Sequence, residues 1–247
     1  MNYQEIMTEL QELAEPEYAK FSGDLTPGAG RMLGVRIPKL RTIAKRIAKE
    51  DWEGFLAVAN DDTYEEIMLQ GFVLGYAKAE LTQILPHVAR FIPKIRNWAV
   101  NDCFCATFKI AGKKQAEVWD FLMEYLDSEE EFELRVVAVM LMDYYLNDTY
   151  IDRVLALYGR LSEKSEKLPV SVESGTGQKA YYLKMGVAWG IATAFAKFPE
   201  KTMQLLESGQ LDAYTYRKSI QKMLESYRVS EADKTVLRKM HEQAKIK

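Results

Sequence analysis

Apolar residues recur along this chain at spacings of three and four, Gly and Pro are sparse, and no two-residue alternation is sustained, so nearly every segment is predicted to be helix. Short polar breaks such as GDLTPGAG, IPKIRN, DSEEE and ESGQLD separate the helices. Five of the longer ones share a rhythm. TYEEIMLQGFVLGYAK begins at 63, RNWAVNDCFCATFK at 96, EFELRVVAVMLMDYYL at 131, AYYLKMGVAWGIATAFAKF at 180 and AYTYRKSIQKMLESY at 213, offsets of 33, 35, 49 and 33. A unit of roughly 34 residues therefore recurs, one interval carrying about 15 extra. A helical hairpin of this size cannot bury its apolar face alone, so successive units are expected to stack into an all-α solenoid with a curved, concave surface.

The long interval holds SEKSEKLPVSVESGTGQKA, residues 162–180, whose Ser, Gly and charge content predicts a surface loop with a short hairpin at LPVSVESGTG. No other stretch reads as a linker, so residues 1–247 are expected to form one domain.

A period also puts side chains in register. Counting from Asp102, the equivalent positions are Arg135 (33 on), Lys184 (49 on) and Arg217 (33 on), a column of three cations with one carboxylate. Trp98 lies one helical turn before Asp102 in NWAVNDCFC, on the same helix face, and Trp189 follows Lys184 by five residues. Lys94, Arg96, Lys109, Lys218, Lys222 and Arg228 are placed to enrich that surface. Such a column suits a phosphate-tracking groove with one acidic, aromatic spot, and equally a groove for acidic proteins. Taken alone, Trp98 and Asp102 also fit a core indole and a helix-end carboxylate.

Composition narrows the chemistry. With 2 Cys and 2 His in the 247 residues, thiol, histidine and metal chemistry have little material, and a carboxylate is the expected agent. Cys103 and Cys105 are too close for an ordinary disulfide and read as reduced thiols. No apolar run approaches the roughly 20 residues that span a bilayer, and the amphipathic N-terminus is unlike a signal, so no membrane association and a cytoplasmic location are expected. The net charge of −3 does not advertise nucleic-acid binding, yet residues 31–49 hold seven cations and no acid. That run is either a solvated helix face or a phosphate-contacting arm.

In order and helical phase, MLGVRIPKLRTIAK, NWAVND, FELRVVAV, YYLKMGVAWGIATAFAK and YRKSIQKM resemble the HEAT-like DNA alkylation repair proteins, which include the AlkD-type DNA glycosylases. The resemblance spans nearly the whole chain and implies a right-handed solenoid of HEAT-like repeats. It implies that Trp98 and Trp189 face the lesion, that Asp102 is catalytic and that Arg135 belongs to the same site; together with Lys184 and Arg217 of the column, and Lys218 beside them, Arg135 is expected to contact the DNA backbone. The substrates implied are N3- or N7-alkylated purines in double-stranded DNA, damaged or branched, bound by a monomer without metal or organic cofactor. Two positions depart from AlkD-type enzymes: Leu25 stands where they have a tyrosine, and Ala192 where they have an arginine. These departures keep open a relative that binds damaged or branched DNA without cleaving the glycosidic bond.

Overall fold

A computed structural model describes the backbone of residues 3–246 and the side chains of residues 3–244. Helices account for almost all of it, and the five long segments begin at Tyr64, Trp98, Glu131, Tyr181 and Ala213, within two residues of each expected start. Among the described residues β-structure is limited to one isolated bridge, Val170 to Lys179. No helix among them is long and apolar enough to cross a membrane. The chain divides into two compact units, residues 1–114 and 115–247.

The first unit runs α1 (Tyr3–Glu12), α2 (Pro16–Leu25), α3 (Ile37–Glu50), α4 (Trp52–Val58), α5 (Tyr64–Tyr76), α6 (Leu81–Phe91), α7 (Trp98–Thr107) and the single turn α8 (Ile110–Lys113). Its core is a row in which α3 packs on α5 and α5 on α7, while α4 packs on both α3 and α5, and α6 on α5. The sequence of each helix fits its place. α3 is amphipathic and buries one stripe, Leu40, Ile43, Ala44, Ile47 and Ala48, whereas α5, at the middle of the row, is buried nearly all round. Thr63 starts α5 by accepting from Glu66 N at 3.2 Å, and Asn97 starts α7 by accepting from Val100 N at 3.0 Å, caps worth about 1 kcal/mol each.

A buried carboxylate fixes the extended segment before α3. Glu65 accepts backbone N–H bonds from Leu33, Gly34 and Val35 at 2.9, 2.8 and 3.2 Å. The middle residue must be glycine, because its φ is +91° and a Cβ there would meet the Glu15 carbonyl oxygen at 2.1 Å.

The second unit runs α9 (Gln115–Met123), α10 (Glu131–Tyr144), α11 (Ile151–Ser165), α12 (Tyr181–Phe195), α13 (Pro199–Glu207), α14 (Ala213–Glu225) and α15 (Glu231–Ile246). Here α12 is the central helix, flanked by α10 and α14 in one row and covered by α11 and α13. Residues 162–180 complete α11 and then form a loop closed by the Val170–Lys179 bridge over a 3₁₀ turn at Val172–Ser174. Glu131 repeats the device of Glu65. It accepts from the backbone N–H groups of Tyr182 and Leu183 at 2.5 and 3.2 Å and from the Ser171 hydroxyl at 2.7 Å, tying the loop and the start of α12 to α10.

Candidate functional site

In the first unit the cap at Asn97 sets the direction in which α7 starts, and Trp98 is its first helical residue. Trp98 is 37% exposed, and its indole N–H donates to the carbonyl of Leu25 at 3.1 Å, which fixes the plane of the ring. Leu25, the residue standing in place of a tyrosine, therefore contributes its main chain to Trp98 and leaves its own side chain 56% exposed. One turn along α7, Asp102 is half-buried, and its Oδ1 accepts from the amide Nδ2 of Asn101 at 3.0 Å. Asn101 is wholly buried and its own Oδ1 has no hydrogen-bond partner. The Asn101 amide nitrogen thus donates to the carboxylate and, at 3.8 Å, to the Cys105 sulfur, while its oxygen stays unsatisfied.

The neighbours of Asp102 are shielded. Burial pushes the Cys103 thiol up, the guanidinium of Arg41 opposes that shift, and the Asp102 carboxylate adds to it. Arg41 itself is committed: it donates to the Tyr76 hydroxyl at 2.8 Å and the Thr107 hydroxyl at 2.9 Å, and its guanidinium lies 4.2 Å from the centre of the Phe72 ring. Other cations of residues 31–49 are similarly engaged. Arg36 pairs with Glu15 at 2.8 Å and lies over Tyr18, and Arg46 pairs with Glu9. Four of the seven cations, Arg36, Arg41, Lys45 and Arg46, thus contact their own surroundings, whereas Arg31, Lys39 and Lys49 are exposed.

In the second unit the expected column separates into two kinds of cation. Arg135 and Lys184 are turned inward. Arg135 is 5% exposed, lies against Gly186 of α12 and donates to the Tyr182 carbonyl, and Lys184 is 2% exposed, ion-paired with Glu166 and 3.5 Å from Asp212 Oδ1. Arg217 and Lys218 on α14 are half-exposed, and the Lys218 ammonium bonds the Gln221 side-chain oxygen at 3.0 Å and lies 5.8 Å from the Tyr214 ring centre.

Trp189, 40% exposed, stands in a cleft of about 530 Å³. Met142 and Asp143 of α10 and Ala192 and Thr193 of α12 line it, with Lys222 and Glu225 of α14 and Arg228 beyond. Burial lowers the Lys222 pKa, and nearby Arg135 and Lys218 lower it further against the opposing pull of Glu225.

The model of the DNA alkylation repair enzyme family matches residues 6–169. The chain belongs to that family. Its place in the DNA alkylation repair enzymes gives the protein a role in the repair of alkylated DNA, and so a DNA partner. The matched segment contains Trp98, Asp102 and Arg135 but ends before Lys184, Trp189, Arg217 and Lys218, whose assignments rest on the repeat register and on the resemblance of the C-terminal helices. A search of curated proteins finds no match to this chain.

For this DNA alkylation repair protein, the sequence gives no sign of two groups beside the expected residues, Asn101 and Asp143, and places a third, Lys222, only among the cations of the surface. Asn101 gave no signal, since an Asn inside an apolar helix is indistinguishable from a surface residue until its burial is seen. Asp143 likewise has no counterpart in the column. Lys222 is expected on the column surface, and it lies 33 residues after Trp189, one repeat on.

Proposed function

We propose that this protein is a DNA glycosylase that releases N3- or N7-alkylated purines, with Asp102 as its catalytic carboxylate. The observation that carries the reading is the pair on α7: a half-exposed indole held by the Leu25 carbonyl and, one turn later, a carboxylate held by a buried amide. An N3- or N7-alkylated purine is already cationic, so it leaves without a strong general acid. The sugar needs the help, because it gains oxocarbenium character as the glycosidic bond breaks. A preorganised carboxylate at Asp102 stabilises that positive charge and orients the attacking water. Trp98 binds the cationic base or sugar through its ring, and Trp189, within the second unit, is an exposed indole suited to an aromatic contact of its own with DNA.

Backbone phosphates fall to Arg217 and Lys218, the half-exposed cations of the column. Lys184 and Arg135, both buried, hold together the helices of the second unit that present those cations. The reading takes the helical hairpins as HEAT-like repeats, and the rows α3–α5–α7 and α10–α12–α14 within the two units support it.

The test is incubation of the purified protein with methylated DNA and chromatography of the free bases. Release of 3- or 7-methylpurine above the spontaneous rate supports the reading; none refutes it. The second reading is then a module that binds damaged or branched DNA without base release. Leu25 and Ala192 favour it, since at both positions a polar side chain of the AlkD-type enzymes is replaced by an apolar one. Its signature is binding that weakens steeply with salt.

A further inference from the structure

The cleft beside Trp189 holds an amine that the proposed glycosylase step does not use. Lys222 is half-buried, and among the described residues no hydrogen bond or ion pair engages its Nζ, in contrast to Lys184, Lys94 and Lys218, each bonded to an oxygen. Its ionisable neighbours are Arg135 and Asp143 from α10, Lys218 and Glu225 from its own helix, and Arg228 after it; the residues of α12 that line the cleft, Trp189, Ala192, Thr193 and Ala196, carry no charge. Burial lowers the Lys222 pKa, and Arg135 and Lys218 lower it further against the opposing pull of Glu225, so the amine gives up its proton more readily than an exposed lysine, and a neutral amine in a cleft is a nucleophile toward carbonyl carbon. The cleft volume, about 530 Å³, lies in the range that takes a small molecule or a single nucleotide unit.

We propose that Lys222 forms an imine with the ring-opened aldehyde of an abasic deoxyribose, so that the protein captures covalently the product of base loss. The proposal rests on the DNA repair reading above but not on Asp102 chemistry, because the aldehyde can come from any route to an abasic site. In the step, the Nζ lone pair attacks C1′ and the C=O pair moves to oxygen. Proton transfer from nitrogen to oxygen gives the carbinolamine, the C–O bond then breaks with loss of water, and the C=N bond forms. Asp143 and Glu225, carboxylates in the same cleft, are placed to carry those protons. Trp189 offers the sugar an aromatic wall.

The experiment mixes the protein with a duplex carrying one preformed abasic site in the presence of cyanoborohydride, which reduces an imine to a stable amine. The expected result is a covalent protein–DNA adduct on a denaturing gel whose cross-linked peptide contains Lys222. Lys222→Arg, which keeps the charge and loses the nucleophile, is expected to lower the yield by about tenfold or more while fluorescence anisotropy shows affinity for the same duplex within about twofold. Equal adduct yield in the variant, a cross-link mapped to another amine, or no adduct would overturn the inference. The two readings fail separately: adduct formation without methylpurine release leaves this inference standing and sinks the glycosylase, whereas Asp102→Asn is expected to trap as well as wild type.

Discussion

Replacing Lys184 with Met separates a cation that holds the fold from one that touches DNA. The side chain is 2% exposed and its ammonium sits between Glu166 and Asp212, the latter 7% exposed and 3.5 Å away. Methionine fills nearly the same volume, so the loss is electrostatic and not a cavity. Deleting one member of a buried pair costs about 3–5 kcal/mol, because the other charge is left without its counterion. Two features place this case at the low end. Asp212 keeps its hydrogen bonds from Tyr214 N, Thr215 N and the Ser162 hydroxyl at 2.9, 3.0 and 2.7 Å. The arm to Glu166, whose side chain is 51% exposed, is worth at most about 1 kcal/mol. The expected destabilisation is therefore about 3 kcal/mol, a fall in Tm of roughly 6–12 °C for a chain of this length. Urea unfolding followed by circular dichroism measures it, and DNA affinity across a salt series measures the other half. A phosphate contact would contribute about 0.9 to the slope of log K against log salt. The account predicts lower stability with an unchanged slope. Wild-type stability together with a slope shallower by about 0.9 would refute it and put Lys184 on the DNA.

Two further predictions follow from the first unit. Trp98→Phe keeps a ring but loses the bond to the Leu25 carbonyl; we expect stability lower by about 1 kcal/mol or less, and base release from methylated DNA lower by about fivefold as the ring loses its fixed plane. Unchanged release would show that the plane is irrelevant. Burial lowers the pKa of His87, which packs edge-on against Trp52 at 5.0 Å between ring centres, and Arg90 lowers it further while Glu53 opposes. Below the ordinary value of 6.5 the unfolded chain binds the proton more readily than the folded one, so His87 costs stability as pH falls through that value and contributes no pH dependence well above it. The His87→Gln protein is expected to lose less stability than wild type between pH 7.5 and about 5.5 in urea titrations, and equal losses would contradict the assignment.

The helical content was legible in the sequence because apolar residues recur at three and four between short polar breaks, and three of the long helices, α5, α7 and α14, also start at a side-chain cap, Thr63, Asn97 and Asp212, which α10 and α12 lack. The short hairpin expected at LPVSVESGTG corresponds to a single bridge closing a 3₁₀ turn, since Ser and Gly there allow the reversal but supply no apolar face to extend a ladder. The column was harder. A repeat register places a residue on a helix but does not say whether its side chain turns outward, and inward-turning cations such as Arg135 and Lys184 look in sequence like Arg217. What decides between them is the local acceptor, the Tyr182 carbonyl for Arg135 and Glu166 with Asp212 for Lys184. Those acceptors lie between about 18 and 47 residues away, beyond the reach of any periodicity argument. The same distance hid the link from the Leu25 carbonyl to the Trp98 indole, 73 residues on.

The measurement that bears most directly on the central claim compares wild type and Asp102→Asn on methylated duplex DNA, with released methylpurine and DNA affinity read on the same preparations. The substitution keeps the shape of the side chain on α7 and removes its charge. If the carboxylate stabilises the developing sugar cation, release falls by roughly a hundredfold or more while affinity changes little. Equal release by the two proteins would contradict a catalytic Asp102.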